Sequence, residues 1–68
     1  MPTYLVNFNM ISRSTVTGVK FKSNCDTIEK FIETFSPDML VVCPGYYRET
    51  TVVNMRNVET MIVRKVEE

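Results

Sequence analysis

The chain contains no histidine, tryptophan, alanine or glutamine. Without histidine it has no imidazole to act as a general base or as a metal ligand. Its two cysteines, Cys25 and Cys43, allow at most one disulfide and are too few for a four-ligand zinc site. We therefore expect free, mostly buried thiols, no catalytic residue, no metal and no cofactor, and hence a protein that is not an enzyme.

The chain has no excess of positive or negative charge, and it has no long apolar run. Eight Lys and Arg residues balance eight Asp and Glu residues, which removes the overall attraction expected of a general nucleic-acid binder. No apolar run approaches the roughly 18–20 residues that cross a bilayer, and the first four residues lack the basic start of a signal peptide. These features predict a cytoplasmic protein with no membrane partner.

The chain is rich in β-branched residues, with ten Val, eight Thr and four Ile among its 68 residues. Such side chains lose rotamer freedom in helices and pack well on a pleated surface. The apolar content of 44% is enough for a folded protein, and the length allows one small domain over residues 1–68. The composition therefore favours a single domain rich in sheet.

Two strands are predicted near the N-terminus. Over residues 3–11 apolar and polar residues alternate, as in a half-buried strand. The polar break Ser12-Arg13-Ser14 leads to a second strand over residues 15–22. Its pattern places Thr17, Val19 and Phe21 on one face and Lys20 and Lys22 on the other. Gly18 interrupts this strand, which is typical either of a β-bulge or of a place where another group approaches the backbone.

A helix is predicted to begin at Ser23, because Ser23 with Asp26, and Asp26 with Glu29, both fit a capping box. An apolar stripe at i, i+3, i+4 and i+7 consists of Ile28, Phe31, Ile32 and Phe35. Ser36-Pro37 ends the helix, because the residue before proline is driven out of the α region.

Three more strands are predicted after the helix. The run at residues 39–43 is continuously apolar, which indicates a central strand covered on both faces. Pro44-Gly45 is a turn signal before a strand at residues 46–53, and residues 54–57 form a tight connection. Residues 58–66 fit a helix or a strand; we favour the strand because of their β-branched content.

The predicted fold class is α+β, with the element order ββαβββ. One helix packs on one face of a mainly antiparallel sheet of four or five strands. If the helix returns the third strand beside the first, the spatial order is 2-1-3-4-5. The sequence shows no repeat, linker or domain boundary.

Basic and aromatic residues provide a candidate binding surface, consisting of Arg13, Lys20, Lys22, Tyr46, Tyr47 and Arg48. The three cations of the first hairpin could hold a phosphate or an acidic partner. Alternatively, lysines on a hairpin edge simply oppose aggregation. Tyrosines beside an arginine stack on bases or anchor protein interfaces, although cross-strand packing explains them without a ligand.

Neither the thiols nor the acids of the predicted helix indicate catalysis. Cys25 lies in the predicted first helical turn, where the dipole favours a thiolate. The neighbouring Asp26 opposes that effect and no histidine is present to act as a base. Glu29 and Glu33 lie opposite the apolar stripe, so we expect them in solvent.

Apolar residues left uncovered by the single helix suggest self-association. The second face of the predicted sheet presents Leu5, Ile11, Val16, Met61 and Val63. A monomer rarely leaves such a surface in water, and two-fold dimers are the commonest solution. We therefore expect a non-enzymatic interaction and regulatory module that binds protein, itself included. Its size is typical of accessory factors, including those of mobile elements. The alternative is a nucleic-acid-binding protein using its basic and aromatic sheet surface.

Overall fold

The computed structural model describes residues 1–43 and 51–67. Its strands and single α-helix follow one another as β1 (Thr3–Met10), β2 (Thr15–Lys22), α1 (Ile28–Glu33), β3 (Leu40–Cys43), β4 (Thr51–Asn54) and β5 (Val58–Glu67), with a 3₁₀ turn (Met55–Asn57) between the last two strands. The α+β class is confirmed, and the prediction of a strand rather than a helix after residue 57 is also confirmed.

The described strands form two antiparallel sheets instead of one. The first has three strands in the order β2-β1-β5, and the second is the hairpin of β3 and β4. The predicted order 2-1-3-4-5 is therefore wrong, because β5 and not β3 pairs with β1. The ten-residue β5 can pair along the whole eight-residue β1, whereas β3 has only four residues.

The helix is shorter than predicted at its N-terminal end. It begins at Ile28, because Thr27 is the N-cap and its Oγ1 accepts a hydrogen bond from Lys30 N at 3.2 Å. The predicted start at Ser23 is wrong: the Ser23 hydroxyl instead accepts from Cys25 N at 3.1 Å, which supports the turn before the helix. The helix ends at Glu33 with Thr34 as the C-cap, so it also ends before the predicted Ser36-Pro37 boundary, and Phe35 lies outside it.

Aromatic contacts attach α1 to the three-stranded sheet. Phe31 is the buried residue of the helix, and its ring stacks on Tyr4 of β1 with centroids 4.3 Å apart. Its ring also contacts those of Phe21 in β2 and Phe35, with centroid distances of 5.9 and 5.2 Å. Ile32, predicted to lie in the apolar stripe, is 40% exposed. Six residues make fewer than two turns, so the buried stripe is narrower than the spacing predicts.

The hairpin of β3 and β4 joins the same core through alternate residues. Val41, Cys43 and Val53 are buried and belong to one cluster with Tyr4, Val6 and Phe8. Leu40 and Val42, on the other face of β3, are exposed. The prediction that residues 39–43 are covered on both faces is therefore wrong. Within the described part of the chain, β3 lies in a two-stranded sheet with a single covered face.

The described residues include no helix long and apolar enough to cross a membrane.

Candidate interaction surfaces

Three of the five residues predicted for an apolar outer face point inward instead. Val16, Met61 and Val63 are partly buried and pack against the core. Cross-strand partners share a face, and Phe8 is paired with both Val16 and Met61 while Val6 is paired with Val63. Because Val6 and Phe8 are buried, the prediction that these three residues lie on the outer face is wrong.

The remaining two predicted residues do not form a continuous apolar patch. Leu5 does lie on the outer face, half-buried between its cross-strand partners Lys20 and Arg64. Ile11 is exposed in the turn after β1, and its backbone N–H donates to Asn57 O at 2.7 Å. The structure therefore does not bring the five predicted self-association residues together on one surface.

The outer face of the three-stranded sheet, which we call the sheet outer face, is mainly polar and cationic. Its described residues include Thr3, Leu5, Asn7, Asn9, Thr15, Lys20, Lys22, Thr60, Ile62 and Arg64. Its cations are exposed, and within the described part of the chain no ion pair involves them. Arg64 was missed by sequence analysis, because its place opposite Leu5 depends on the pairing of β5 with β1.

The side-chain amides of β1 form hydrogen bonds with both neighbouring strands on the sheet outer face. Asn7 Oδ1 accepts from Gly18 N at 2.8 Å, and Asn9 Nδ2 donates to Thr60 Oγ1 at 2.9 Å. The register of β1 and β2 shifts between Val6 and Phe8, opposite Gly18, so Gly18 marks a β-bulge. Its φ of 72° requires glycine-like freedom. Among the described residues, no heavy atom lies within 4 Å of where a Cβ would stand at Gly18, so the bulge and not the close approach of another described group accounts for the glycine.

The other predicted binding residues lie elsewhere or outside the described residues. Arg13 is exposed in the turn between β1 and β2, with a φ of 71°. Lys20 is five residues along β2 from Thr15, roughly 17 Å away. Because Arg13 lies in the turn just before Thr15, Arg13 and the two lysines lie at opposite ends of the β1–β2 hairpin. Tyr46, Tyr47 and Arg48 fall outside the residues that the structure describes.

A second surface is apolar and lies on the hairpin of β3 and β4. Its outward residues, which we call the hairpin face, are Leu40, Val42 and Val52. They are 63%, 60% and 50% exposed, and Val42 and Val52 are direct cross-strand partners. This surface could not be predicted from the sequence, because an unbroken apolar run does not reveal which side of a strand is covered.

An ion pair lies beside one end of the hairpin face. Arg56 Nε lies 3.3 Å from Asp38 Oδ1, and both side chains are exposed. Asp38 precedes β3 and Arg56 follows β4, so the pair lies near the end where Leu40 is opposite Asn54. This edge therefore carries one acid and one base, with no net charge.

The two thiols are free, but only Cys43 is buried. Burial raises the pKa of the Cys43 thiol. Cys25 is half-buried and precedes the first residue of α1 by three positions, so the expectation that it lies in the first helical turn is wrong. Its carbonyl accepts from the Tyr4 hydroxyl at 2.7 Å, which gives this segment a structural role. The described residues contain no cluster of three metal-ligating side chains.

We expect Cys25 to react with Ellman's reagent about tenfold or more faster than Cys43 in the folded protein, because thiolates react and burial disfavours the Cys43 thiolate. Thiol release followed at 412 nm checks this, with Cys25→Ser and Cys43→Ala assigning the phases. In denaturant the two rates should become similar. Equal rates in the native protein would contradict the difference in burial.

Comparison of the chain with protein-family models, with curated proteins and with solved structures finds no match.

Proposed function

We propose that this protein is a small non-enzymatic interaction and regulatory module that binds protein and forms a homodimer through the hairpin face. The observation that carries the proposal is the exposure of three neighbouring aliphatic side chains, Leu40, Val42 and Val52, on one side of a two-stranded sheet. Clustered exposed apolar side chains are a feature of interaction sites, whereas scattered ones are ordinary.

The chemistry of the hairpin face fits a protein better than a charged ligand. Its three side chains have no charge and no hydrogen-bonding group. The one polar outward neighbour at the end of the strands, Asn54, uses its Oδ1 to accept from Arg56 N at 3.1 Å. Such a surface gains free energy by excluding water, which another apolar surface provides.

A second copy of this chain is the partner that the surface fits. In a two-fold dimer the same patch meets itself, so charges on the patch would repel. The hairpin face is uncharged, and the Asp38–Arg56 pair beside it is neutral as a whole. Antiparallel sheets also pack face to face at a spacing of about 10 Å. Isologous contact therefore brings no electrostatic cost.

The small size of the hairpin face predicts a weak dimer. A stable interface buries about 800 Å² on each partner, more than three aliphatic side chains provide. We therefore expect a dissociation constant on the order of micromolar or weaker.

The same proposal includes a cytoplasmic location, which the two free thiols support. It also includes an accessory role, as in mobile elements.

Sedimentation velocity from about 1 µM to 1 mM protein tests the dimer, a range that brackets the expected affinity. We expect the wild-type chain to shift from monomer to dimer, and Val42→Asp to remain monomeric. The matched control is Ile62→Asp, because Ile62 is 57% exposed on a strand of the other sheet. It should dimerise like the wild type. Circular dichroism should show that both variants fold.

A chain that stays monomeric up to about 1 mM would overturn the homodimer. An equal loss of dimer in Val42→Asp and Ile62→Asp would overturn the assignment of the interface to the hairpin face. A dimer that forms normally in Val42→Asp would place the interface elsewhere. If the monomeric chain instead binds another protein in a manner abolished by Val42→Asp, the hairpin face is a heterologous site and the self-association is wrong.

A further inference from the structure

We propose that the sheet outer face binds the phosphate backbone of single-stranded nucleic acid, independently of the hairpin face. Three exposed cations, Lys20, Lys22 and Arg64, share this face, and Glu67 is paired with Thr3 at the end of the face where Lys22 lies. The chain as a whole has no net charge, so this concentration of positive charge results from the fold and not from the composition.

The strand pairing places the three cations close together. Lys20 and Arg64 are both paired with Leu5, on opposite sides of β1, and so lie two strand spacings or about 10 Å apart. Lys22 follows Lys20 on the same face of β2, about 7 Å along the strand. The three cations therefore lie at the corners of a right angle, and together they form a positive cluster that can contact neighbouring phosphates of one strand.

The chemistry of the three cations matches phosphate. Lysine ammonium groups bind phosphate as point charges, whereas the arginine guanidinium forms paired hydrogen bonds with two phosphate oxygens. These groups have no competing ion pair among the described residues, whereas the exposed Arg56 is paired with Asp38. The cations of the sheet outer face are therefore available for a ligand.

The polar groups of the face favour a nucleic-acid strand over an acidic peptide. Asn7 and Asn9 each use one amide atom within the sheet, through Gly18 N and Thr60 Oγ1. The second amide atom of each side chain has no hydrogen-bond partner among the described residues and can bond to sugar and base edges.

Recognition by this face should depend little on base sequence. The aromatic side chains with described positions, from Tyr4 to Phe35, belong to the core cluster or pack against it, so the described face provides no stacking platform. Affinity then comes from phosphate contacts, and it must fall as the salt concentration rises, because salt cations compete for the phosphates. Three contacts on a single strand predict a slope of about −2 for log K against log salt concentration.

Fluorescence anisotropy with a labelled 20-nucleotide oligo-dT at about 20 mM NaCl tests the proposal. We expect a dissociation constant of roughly 10–100 µM and the salt slope given above. Lys20→Glu combined with Arg64→Glu should weaken binding at least about tenfold. The control combines Arg13→Glu with Lys30→Glu, two exposed cations outside this face. It changes the net charge equally and should retain most of the affinity.

Three results would overturn the inference: no binding at low salt, the same loss in both double variants, or equal affinity for a poly-glutamate of matched length. Tighter binding to a duplex than to the single strand would show that the sheet outer face does not select a single strand. The Val42→Asp variant separates this proposal from the homodimer, because it should abolish dimerisation and leave oligo-dT binding by each chain intact.

Discussion

Replacing Phe31 by alanine should lower the free energy of unfolding by about 3–5 kcal/mol. Phe31 is 3% exposed and is the buried residue of the six-residue helix α1. Its ring stacks on Tyr4 and contacts Phe21 and Phe35, so truncation removes packing on three sides at once. A helix this short is not stable by itself in water, and the loss of this contact should release it from the sheet.

Urea denaturation followed by circular dichroism measures the effect. The matched control is Ile32→Ala, the next residue of the same helix, which is 40% exposed and should cost less than about 1 kcal/mol. If Phe31→Ala does not fold at all, Phe31→Leu keeps an apolar side chain and should cost about 1–2 kcal/mol. A larger effect at Ile32 than at Phe31 would mean that the helix packs through a different side.

The sequence predicts the elements that depend on local pattern. The alternation in residues 3–11 and 15–22 corresponds to β1 and β2, and β-branched content correctly favours a strand at β5. Such patterns suffice because side chains alternate across a strand irrespective of its partners. The helix start is less well predicted, because several residues before Thr27 also have capping chemistry.

The pairing of distant strands could not be predicted from the sequence. The side on which Met61 and Val63 lie is decided by the register of β5 against β1, and a shift of one residue reverses it. Similarly, Val16 reaches the core because the bulge at Gly18 shifts the register of β2 between Val16 and Val19. These errors together suggested a continuous apolar surface where the structure has a cationic one.

The hairpin face is a further consequence of strand pairing. In the sequence, Val41 and Val42 are equivalent aliphatic residues, as are Val52 and Val53. Only their register in a two-stranded sheet makes Val41 and Val53 part of the core and leaves Val42 and Val52 in solvent. The candidate sites of this protein therefore depend on tertiary arrangement more than on any short motif.

Introducing a carboxylate at Val53 should unfold the protein at neutral pH. Val53 is 2% exposed and belongs to the central core cluster, where it is paired with Val41. An unpaired charge in such a position costs several kcal/mol, comparable with the whole stability of a small domain. Val52→Asp is the matched control, because Val52 is the preceding residue and is half exposed on the hairpin face. We expect the Val52→Asp protein to fold and to dimerise more weakly than the wild type.

The pH dependence of Val53→Asp provides a separate test of burial. Burial should raise the folded-state pKa of the new carboxyl group above the unfolded value of about 3.9. The unfolded chain then binds fewer protons than the folded chain between these two pKa values, so stability should rise as pH falls through that interval. Circular dichroism at about pH 4 and pH 7 should show partial refolding at the lower pH. The gain in folding free energy should increase with the difference between the folded-state and unfolded-state pKa values of the carboxyl group.

The less severe Val53→Ala keeps this test informative if the charged variant never folds. It should cost about 2 kcal/mol, because two buried methyl groups are removed, whereas Val52→Ala should change stability little. Equal effects at Val52 and Val53 would mean that β4 does not present one face to the core and the other to solvent. The hairpin face would then lose its structural basis, because its exposure and the burial of Val53 follow from the same alternation.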